Sequence, residues 1–238
     1  MMDNPSGTRI WELDFLRGIA ILMMVVFHIL YDLNTFYQVP ILYEQGPVYY
    51  IGKTAASLFI IVAGISCSLS RNNVKRGAKL FALGLVITLV TSLTVPGSNI
   101  FFGILHFLGT AILLYPLFKH LKPGLLLTLG TGIILTGFYL KRIAMPNHLL
   151  APLGLMGPDF YSADYYPLVP WLGLFLYGVV LGKMIYREKN SLFASFPFRQ
   201  NPLNTLGRHS LAIYLLHQPV ILLLLSLLYR SFPFKINV

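Results

Sequence analysis

Several ionisable residues lie within or beside the first apolar segment of the chain, where a charged side chain is costly and therefore suggests a function, and four of them, Asp14, Arg17, His28 and Asp32, have an informative spacing. Asp14 and Arg17 are three positions apart, and His28 and Asp32 are four apart, so the members of each pair can touch on a helix. Arg17 and His28 are eleven positions apart, which is almost three whole turns and about 16 Å along the axis. The spacing therefore predicts that all four side chains share one face of a helix.

His28 and Asp32 form the pair whose chemistry best fits catalysis. An imidazole titrates near neutrality, and a carboxylate on one ring nitrogen fixes its tautomer and raises its basicity. We therefore predict that His28 is a catalytic general base for an acceptor hydroxyl or amine, and that Asp32 orients it. The same spacing also fits an interfacial histidine followed by the start of a loop. Asp14 and Arg17 equally fit a buried ion pair that locks the helix to a neighbour.

Seven apolar segments must position these residues. The 238-residue chain has a mean hydropathy of +0.70 and only 11% charged residues, whereas soluble domains are about a quarter charged. Runs of about 20 apolar residues are long enough to cross the hydrocarbon of a membrane. The pattern predicts an all-α, polytopic transmembrane helix bundle that forms a single domain over residues 1–238. The predicted spans are roughly 11–31, 52–70, 76–95, 100–118, 123–141, 167–186 and 207–229.

The distribution of Lys and Arg predicts that the N-terminus is cytoplasmic and the C-terminus is outside. On this assignment the cytoplasmic side receives twelve basic residues: Arg9, Arg71, Lys75, Arg76, Lys79, Lys119, Lys122, Lys183, Arg187, Lys189, Arg199 and Arg208. The opposite side receives five: Lys53, Lys141, Arg142, Arg230 and Lys235. Arg17 lies inside a helix and counts for neither side.

The net charge of +10 does not indicate a nucleic-acid partner, because the basic residues lie between apolar segments and not on a soluble face. We therefore expect the lipid bilayer as a partner and no nucleic acid. Cys67 is the single cysteine, which excludes an intrachain disulfide and a Cys-based metal site, and we predict no metal centre. The oligomeric state stays open.

Four stretches of the sequence resemble the transmembrane acyltransferase superfamily, and most closely bacterial relatives of the heparan-α-glucosaminide N-acetyltransferase catalytic domain. The first is 11–28, with a Leu-Asp-x-x-Arg-Gly opening followed by His28, which also resembles membrane O-acyltransferases that decorate surface polysaccharides. The others are 57–66, which precedes a basic loop, 164–173 and 206–219. The resemblance implies transfer of an acetyl or other acyl group from cytoplasmic acetyl-CoA, or a related acyl-CoA, to an acceptor on the far side of the membrane. That acceptor is usually a sugar.

The resemblance also implies roles for residues of the first helix. The arginine and histidine of the family correspond to Arg17, expected to contribute to donor binding, and to His28, taken as the catalytic base. The human heparan enzyme has asparagine at the position of His28 and a functional histidine eleven residues later, where this chain has Val39. His28 is therefore expected to take over that role. The bacterial resemblance implies a multi-pass protein of the cytoplasmic (inner) membrane.

A basic loop is the predicted site for the phosphates of the CoA donor. Lys and Arg close to a helix N-terminus suit phosphate groups, so Arg71, Lys75, Arg76 and Lys79 are predicted to bind the donor. The same residues equally fit anchors that face lipid headgroups.

His106 and Asp164 are the predicted substrate-binding residues. His106 falls about six residues into the fourth segment, at a depth similar to that of His28, where it could bind the acceptor or the thioester carbonyl. A packing role fits it as well. Asp164 belongs to a family-like stretch in an outer segment whose aromatic and carboxylate groups suit a sugar-like acceptor. His217 precedes a Gln-Pro pair, and we assign it a structural role at a helix kink in preference to catalysis.

Two other functions fit the same residues. A small transporter or flippase could use the buried charges as a proton relay. A non-enzymatic membrane subunit would use the polar stripe of the first helix only to hold helices together. Consumption of acetyl-CoA separates an acyltransferase from both.

Overall fold

The computed structural model describes residues 10–94, 99–140, 142–143, 145–193 and 201–230. Every regular element in these ranges is helical, which confirms the all-α prediction. The elements are α1 (Trp11–Tyr37), α2 (Gly46–Leu69), α3 (Asn73–Thr94), α4 (Ile104–Phe118), α5 (Pro123–Leu140), the 3-10 helix η1 (Ala151–Leu153), α6 (Leu168–Ile185), α7 (Pro202–Arg208) and α8 (Ser210–Tyr229). Arg9, Lys141, Arg199 and Lys235, which counted toward the orientation, lie outside the described residues, as does position 95 at the end of a predicted span.

Six of these helices are long and apolar enough to cross a membrane: α1, α2, α3, α5, α6 and α8. The fourth predicted span corresponds to α4, an apolar helix of 15 residues. The chain is therefore a multi-pass helical membrane protein. The predicted orientation, with the N-terminus inside and the C-terminus outside, stays a prediction.

The bounds of α1 differ from the predicted span, because the helix continues to Tyr37 instead of ending near residue 31. The sequence becomes polar at Asp32, but that side chain is buried and hydrogen bonded, so the helix does not have to end there. It ends at Gln38, whose φ of 57° is left-handed and whose N–H bonds back to the carbonyls of Leu33 and Asn34.

The predicted seventh span consists of two helices. The chain turns at His209, between α7 and α8, so residues 207–229 do not form one continuous helix. Asn201 starts α7 by accepting a hydrogen bond from the Leu203 N–H at 2.9 Å.

The described residues form two compact units, and the boundary between them falls within α2. The first unit contains α1, the part of α2 that ends at Phe59, α7 and α8. The second contains the remainder of α2, with α3, α4, α5, η1 and α6. The expectation of one domain over residues 1–238 stays a prediction.

In the first unit, two glycines allow α1 and α7 to approach each other at backbone distance. A Cβ atom on Gly18 would overlap the carbonyl of Leu203, and one on Gly207 would overlap the carbonyl of Asp14. Gly18 belongs to the Leu-Asp-x-x-Arg-Gly sequence, and Gly207 to the family-like stretch 206–219. Part of the sequence signature thus serves helix packing.

A buried acid joins α1 to the segment before α7. The carboxylate of Glu12 accepts hydrogen bonds from the Ser191 hydroxyl and the Leu192 N–H, both at 2.8 Å. The Trp11 indole donates to the carbonyl of Phe193 at 3.2 Å. These contacts fix the start of α1 within the first unit.

In the second unit, α3 packs on α4 and α5 packs on α6. Its largest fully buried side chains include Phe107 of α4 and Phe175 of α6. Lys183, near the end of α6, donates to the carbonyls of Lys119 and Leu121, both at 2.7 Å. A cation thus satisfies two carbonyls of the turn that follows α4.

Candidate active site

Helices α1 and α8 bring His28 and His217 together. Their ring centroids are 4.7 Å apart, with the ring planes at 59°. The sequence analysis singled out His28 but assigned His217 a structural role. The signal that could have identified His217 was its place in the family-like stretch 206–219.

The tautomer of His217 follows from its hydrogen bond. Its Nδ1 lies within hydrogen-bond distance of the carbonyl oxygen of Tyr214, one turn earlier in α8. A carbonyl oxygen only accepts, so Nδ1 must carry the proton. In the neutral ring Nε2 then holds a lone pair. This nitrogen is buried and has no hydrogen-bond partner in the described part of the chain.

His28 lacks the carboxylate contact that the sequence predicted. Its Nδ1 is buried and without a hydrogen-bond partner among the described residues. The structure records no hydrogen bond between His28 and Asp32, because the Asp32 carboxylate is turned toward α8. The property expected of His28, a tautomer fixed through one ring nitrogen, belongs to His217 instead.

Asp32 is paired with Gln218. The carboxylate is fully buried, and the Gln218 Nε2 donates to both of its oxygens at 2.9 Å. Buried charges are costly unless they are hydrogen bonded, so this pairing stabilises Asp32 inside the unit. The same contact orients the Gln218 amide and leaves its Oε1 buried, with no partner within the described ranges.

Aromatic side chains surround the two histidines. The ring of His28 contacts Phe27 at 5.5 Å and Tyr31 at 6.4 Å, and the ring of His217 contacts Tyr214 at 5.5 Å. Tyr31 in turn packs edge-on against Tyr43 at 4.9 Å. The imidazoles therefore lie in a mainly apolar environment, where interactions between polar groups are stronger than in water.

Arg17 and Asp14 form the ion pair that their spacing predicted. The Arg17 Nη1 and the Asp14 Oδ1 are 2.9 Å apart, and the Asp14 side chain is almost completely buried while that of Arg17 is 27% exposed. Asp14 lies where α1 meets α7, so the pair supports this helix contact. Part of the Arg17 side chain reaches the surface of the unit.

The basic segment 71–79, predicted as a loop, includes the start of α3: Arg71 precedes the helix, and the other three cations lie in its first two turns. It contains one structural cation and three exposed ones. Arg76 is partly buried and donates to the Cys67 Sγ at 3.0 Å. Arg71, Lys75 and Lys79 are exposed. Three of the four cations of this segment therefore present their charge at the surface, and Arg76 also links α3 to the end of α2.

His106 is buried between α3 and the segment that precedes α4. Its ring stacks on Phe102 and meets Phe81 edge-on, each at 5.8 Å. The Thr88 hydroxyl donates to the Ile100 carbonyl at 2.6 Å, so its oxygen accepts from the His106 Nε2 at 3.3 Å. Packing accounts for most of the surroundings of this histidine. Its predicted role in substrate binding stays a prediction.

Asp164 has a structural contact at the start of α4. Its Oδ2 accepts a hydrogen bond from the Ile104 N–H at 2.9 Å, so the carboxylate caps this helix from sixty residues away. Next to it, the Ser162 hydroxyl accepts from the Phe101 N–H at 2.9 Å. Binding of substrate by Asp164 stays a prediction.

The segment between α5 and α6 contributes to a surface cavity of about 300 Å³ in the second unit. Aromatic rings, an imidazole, an amide and a carboxylate line it: Asn99, Phe101, His148, Asp159, Phe160 and Tyr161. Among these groups, the His148 Nδ1 accepts from the Gly157 N–H at 3.3 Å. Aromatic and carboxylate groups were predicted for the outer segment, which carries Asp159 and Asp164, and Asp164 was preferred as the binding residue.

Tyr165 holds the same segment in place. Its hydroxyl donates to the Ala151 carbonyl of η1 at 2.6 Å. Burial raises the pKa of Tyr165 to about 12, so the phenol is neutral at physiological pH.

These features define a multi-pass membrane protein with buried imidazole, carboxylate and amide groups clustered among its helices. The model of the family described as heparan-alpha-glucosaminide N-acetyltransferase, catalytic, matches residues 9–219, and the chain belongs to this family. The family is one of membrane acetyltransferases. No curated protein and no solved structure shows a significant match to the chain.

Proposed function

We propose that this protein transfers an acetyl or other acyl group from cytoplasmic acyl-CoA to a sugar-type acceptor outside the cytoplasm, in a bacterial inner membrane. The observation that carries the proposal is the pairing of His28 and His217, two adjacent imidazoles with buried, unpartnered nitrogens. Buried polar atoms without partners are rare, because each one costs stability. A reacting group that exchanges a proton with these nitrogens would satisfy them.

The chemistry needs a base but no metal. The acceptor oxygen or nitrogen attacks the carbonyl carbon of the thioester, and the histidine pair takes the acceptor proton as the new bond forms. The bond from carbon to sulfur then breaks, and the proton passes to the CoA thiolate. His28 is the residue that the family resemblance favours for this step. Asp32 contributes as a positioning residue that holds Gln218 of α8.

The basic segment, residues 71–79, is the proposed contact for the phosphates of CoA. Arg71, Lys75 and Lys79 are exposed, and the N-terminus of α3 adds the partial positive charge of a helix end. Arg17, whose side chain is partly exposed, is the proposed donor contact on α1.

A sugar-type acceptor follows from the family resemblance. The surface cavity of the second unit is a separate feature whose groups suit a sugar, and the proposed reaction at His28 and His217 in the first unit does not depend on it. The volume of the cavity is at the lower end of the range of small-molecule sites. Phe160 and Tyr161 provide aromatic faces for the apolar face of a sugar ring, and Asp159 provides an acceptor for hydroxyl groups. Binding by Asp164 or His106 is a separate expectation that the same assays test.

The test is the release of free CoA from acetyl-CoA by the purified protein in lipid nanodiscs, with a panel of sugars and amino sugars as acceptors. We expect acceptor-dependent release that His28→Ala abolishes. His120→Ala, which changes an exposed histidine, is the matched control and should retain activity. Absence of thioester consumption with every acceptor would favour a transporter or a non-enzymatic subunit. Normal turnover by His28→Ala would remove the proposed chemistry.

The donor contact is tested separately, by changing Arg71, Lys75 and Lys79 together to Gln. We expect the KM for acetyl-CoA to rise at least tenfold, with a smaller rise at high salt because screening already weakens these contacts. The control changes three other exposed cations to Gln: Lys119, Lys122 and Arg187. An equal rise in the KM for acetyl-CoA in the two triple variants would indicate that the basic segment serves only as a membrane anchor.

A further inference from the structure

We propose that the Nε2 atom of His217 is the base that removes the proton from the acceptor, and that His28 positions the acceptor beside it. This inference rests on the proposed acyl transfer and assigns its proton-transfer step to a second residue. It reverses the structural role that the sequence suggested for His217.

The first argument is the fixed tautomer of His217. The Tyr214 carbonyl holds the proton on Nδ1, so the lone pair of the neutral ring is on Nε2. A hydrogen bond from Nδ1 to a carbonyl is a common way to prepare the opposite nitrogen as a base. His28 has no comparable contact, since the carboxylate one turn away is bonded to Gln218.

The second argument is the position of the prepared nitrogen. The His217 Nε2 and the His28 Nδ1 are both buried and lack hydrogen-bond partners in the described ranges, although their rings are neighbours. A hydroxyl group that donates its proton to Nε2 can accept from Nδ1–H of His28 when that ring carries its proton there. One reacting group would thus satisfy both nitrogens, which neither ring does for the other.

The third argument is the rigidity of the helix that carries His217. Gln218, the next residue, is held by two hydrogen bonds to the fully buried Asp32 of α1. This contact ties α8 to α1 beside the two histidines. Asp32 therefore positions His217 through Gln218, which gives the acid a role without contact to His28.

The proton balance is complete within the acyl transfer. The His217 Nε2 takes the proton of the acceptor hydroxyl or amine as its oxygen or nitrogen bonds to the thioester carbon. The imidazolium then gives this proton to the sulfur that leaves as the CoA thiol. His217 ends the cycle neutral, with its Nδ1–H still donating a hydrogen bond to the Tyr214 carbonyl.

The decisive variant is His217→Asn, because an asparagine amide N–H can replace Nδ1–H toward the Tyr214 carbonyl but provides no base at the position of Nε2. We expect kcat to fall roughly 10²- to 10⁴-fold, the usual contribution of a general base, with little change in the KM for acetyl-CoA and in the thermal unfolding midpoint. If His217 has only a structural role, His217→Asn should leave kcat unchanged, because the variant retains the hydrogen bond to the Tyr214 carbonyl. His217→Asn with kcat within threefold of the wild type would overturn the assignment.

A second variant keeps the inference testable if His217→Asn fails to fold. His217→Ala removes the ring, and added imidazole should restore activity at least tenfold, whereas it should leave the control His209→Ala unchanged. No restoration in folded His217→Ala would overturn the assignment. These outcomes are distinct from failure of the proposed function, which would show as a wild-type protein that consumes no acetyl-CoA.

Discussion

Replacement of Gln218 by leucine isolates the contact that holds Asp32. Leucine has a similar volume to glutamine but no polar group, so Gln218→Leu leaves both oxygens of a fully buried carboxylate without the two hydrogen bonds at 2.9 Å. The variant therefore measures the cost of an unpaired buried acid and little else.

The expected loss in the free energy of unfolding is about 2–4 kcal/mol. A single hydrogen bond to a charged group contributes about 1.5–3 kcal/mol, and the two bonds here share one amide. Removal of one partner from a buried ionic contact costs about 3–5 kcal/mol when the remaining charge has no other partner. The expected loss for Gln218→Leu lies between these limits, because the amide that bonds to Asp32 is a neutral partner.

The double variant Asp32→Leu/Gln218→Leu tests whether Asp32 and Gln218 interact directly. It removes both polar groups, and an apolar pair of similar shape is often neutral relative to the original contact. We expect the double variant to be at least 1 kcal/mol more stable than Gln218→Leu alone, a roughly fivefold difference in the folding equilibrium. Reversible unfolding in mixed micelles measures each free energy, with Gln45→Leu at an exposed position as the control. Additive losses in the double variant would contradict a direct interaction between Asp32 and Gln218.

Two further predictions concern the second unit. Asp164→Ala removes the cap from α4 and should cost about 0.5–2 kcal/mol of stability. Asp164→Asn retains an acceptor oxygen and should cost less. A raised acceptor KM in a variant of unchanged stability would indicate substrate binding by Asp164, and an unchanged KM would contradict it. Tyr165→Phe removes the hydrogen bond to Ala151. Because burial raises the pKa of Tyr165 to about 12, above its unfolded value near 10, its stabilisation is complete below pH 10 and is lost as the pH rises from about 10 toward 12. The thermal midpoint of the wild type should therefore fall more than that of Tyr165→Phe between pH 9 and pH 11, and parallel curves would contradict the assignment.

Local contacts were the part of the site that spacing could predict. Asp14 and Arg17 are within one turn of each other on α1, so their contact needs only a helix, and it is present at 2.9 Å. His28 and Asp32 have equally favourable spacing, but Gln218 from the facing helix occupies the carboxylate. Periodicity indicates which side chains can meet along one helix. It does not indicate which partner from another helix competes for them.

The helices themselves were predictable because hydropathy and length determine what can cross a membrane. The ends of the helices were less predictable. Burial and pairing of Asp32 allow α1 to continue beyond its apolar segment, and the turn at His209 divides a segment that hydropathy treats as continuous. Both differences arise from tertiary contacts and local turns, which an average over 20 residues does not contain.

Some residues of the family-like stretches support the fold, and this affects how the site should be identified. Gly18 and Gly207 allow two backbones to meet, and Asp164 caps a helix. Their substitution would destabilise the fold, and the resulting loss of activity could be mistaken for the loss of a catalytic group. In His28 and His217, by contrast, two neighbouring rings each have a buried nitrogen without a hydrogen-bond partner in the described ranges. Unsatisfied polar atoms reduce stability, so the two buried nitrogens side by side support the proposed proton transfer, which His28→Ala and His217→Asn test.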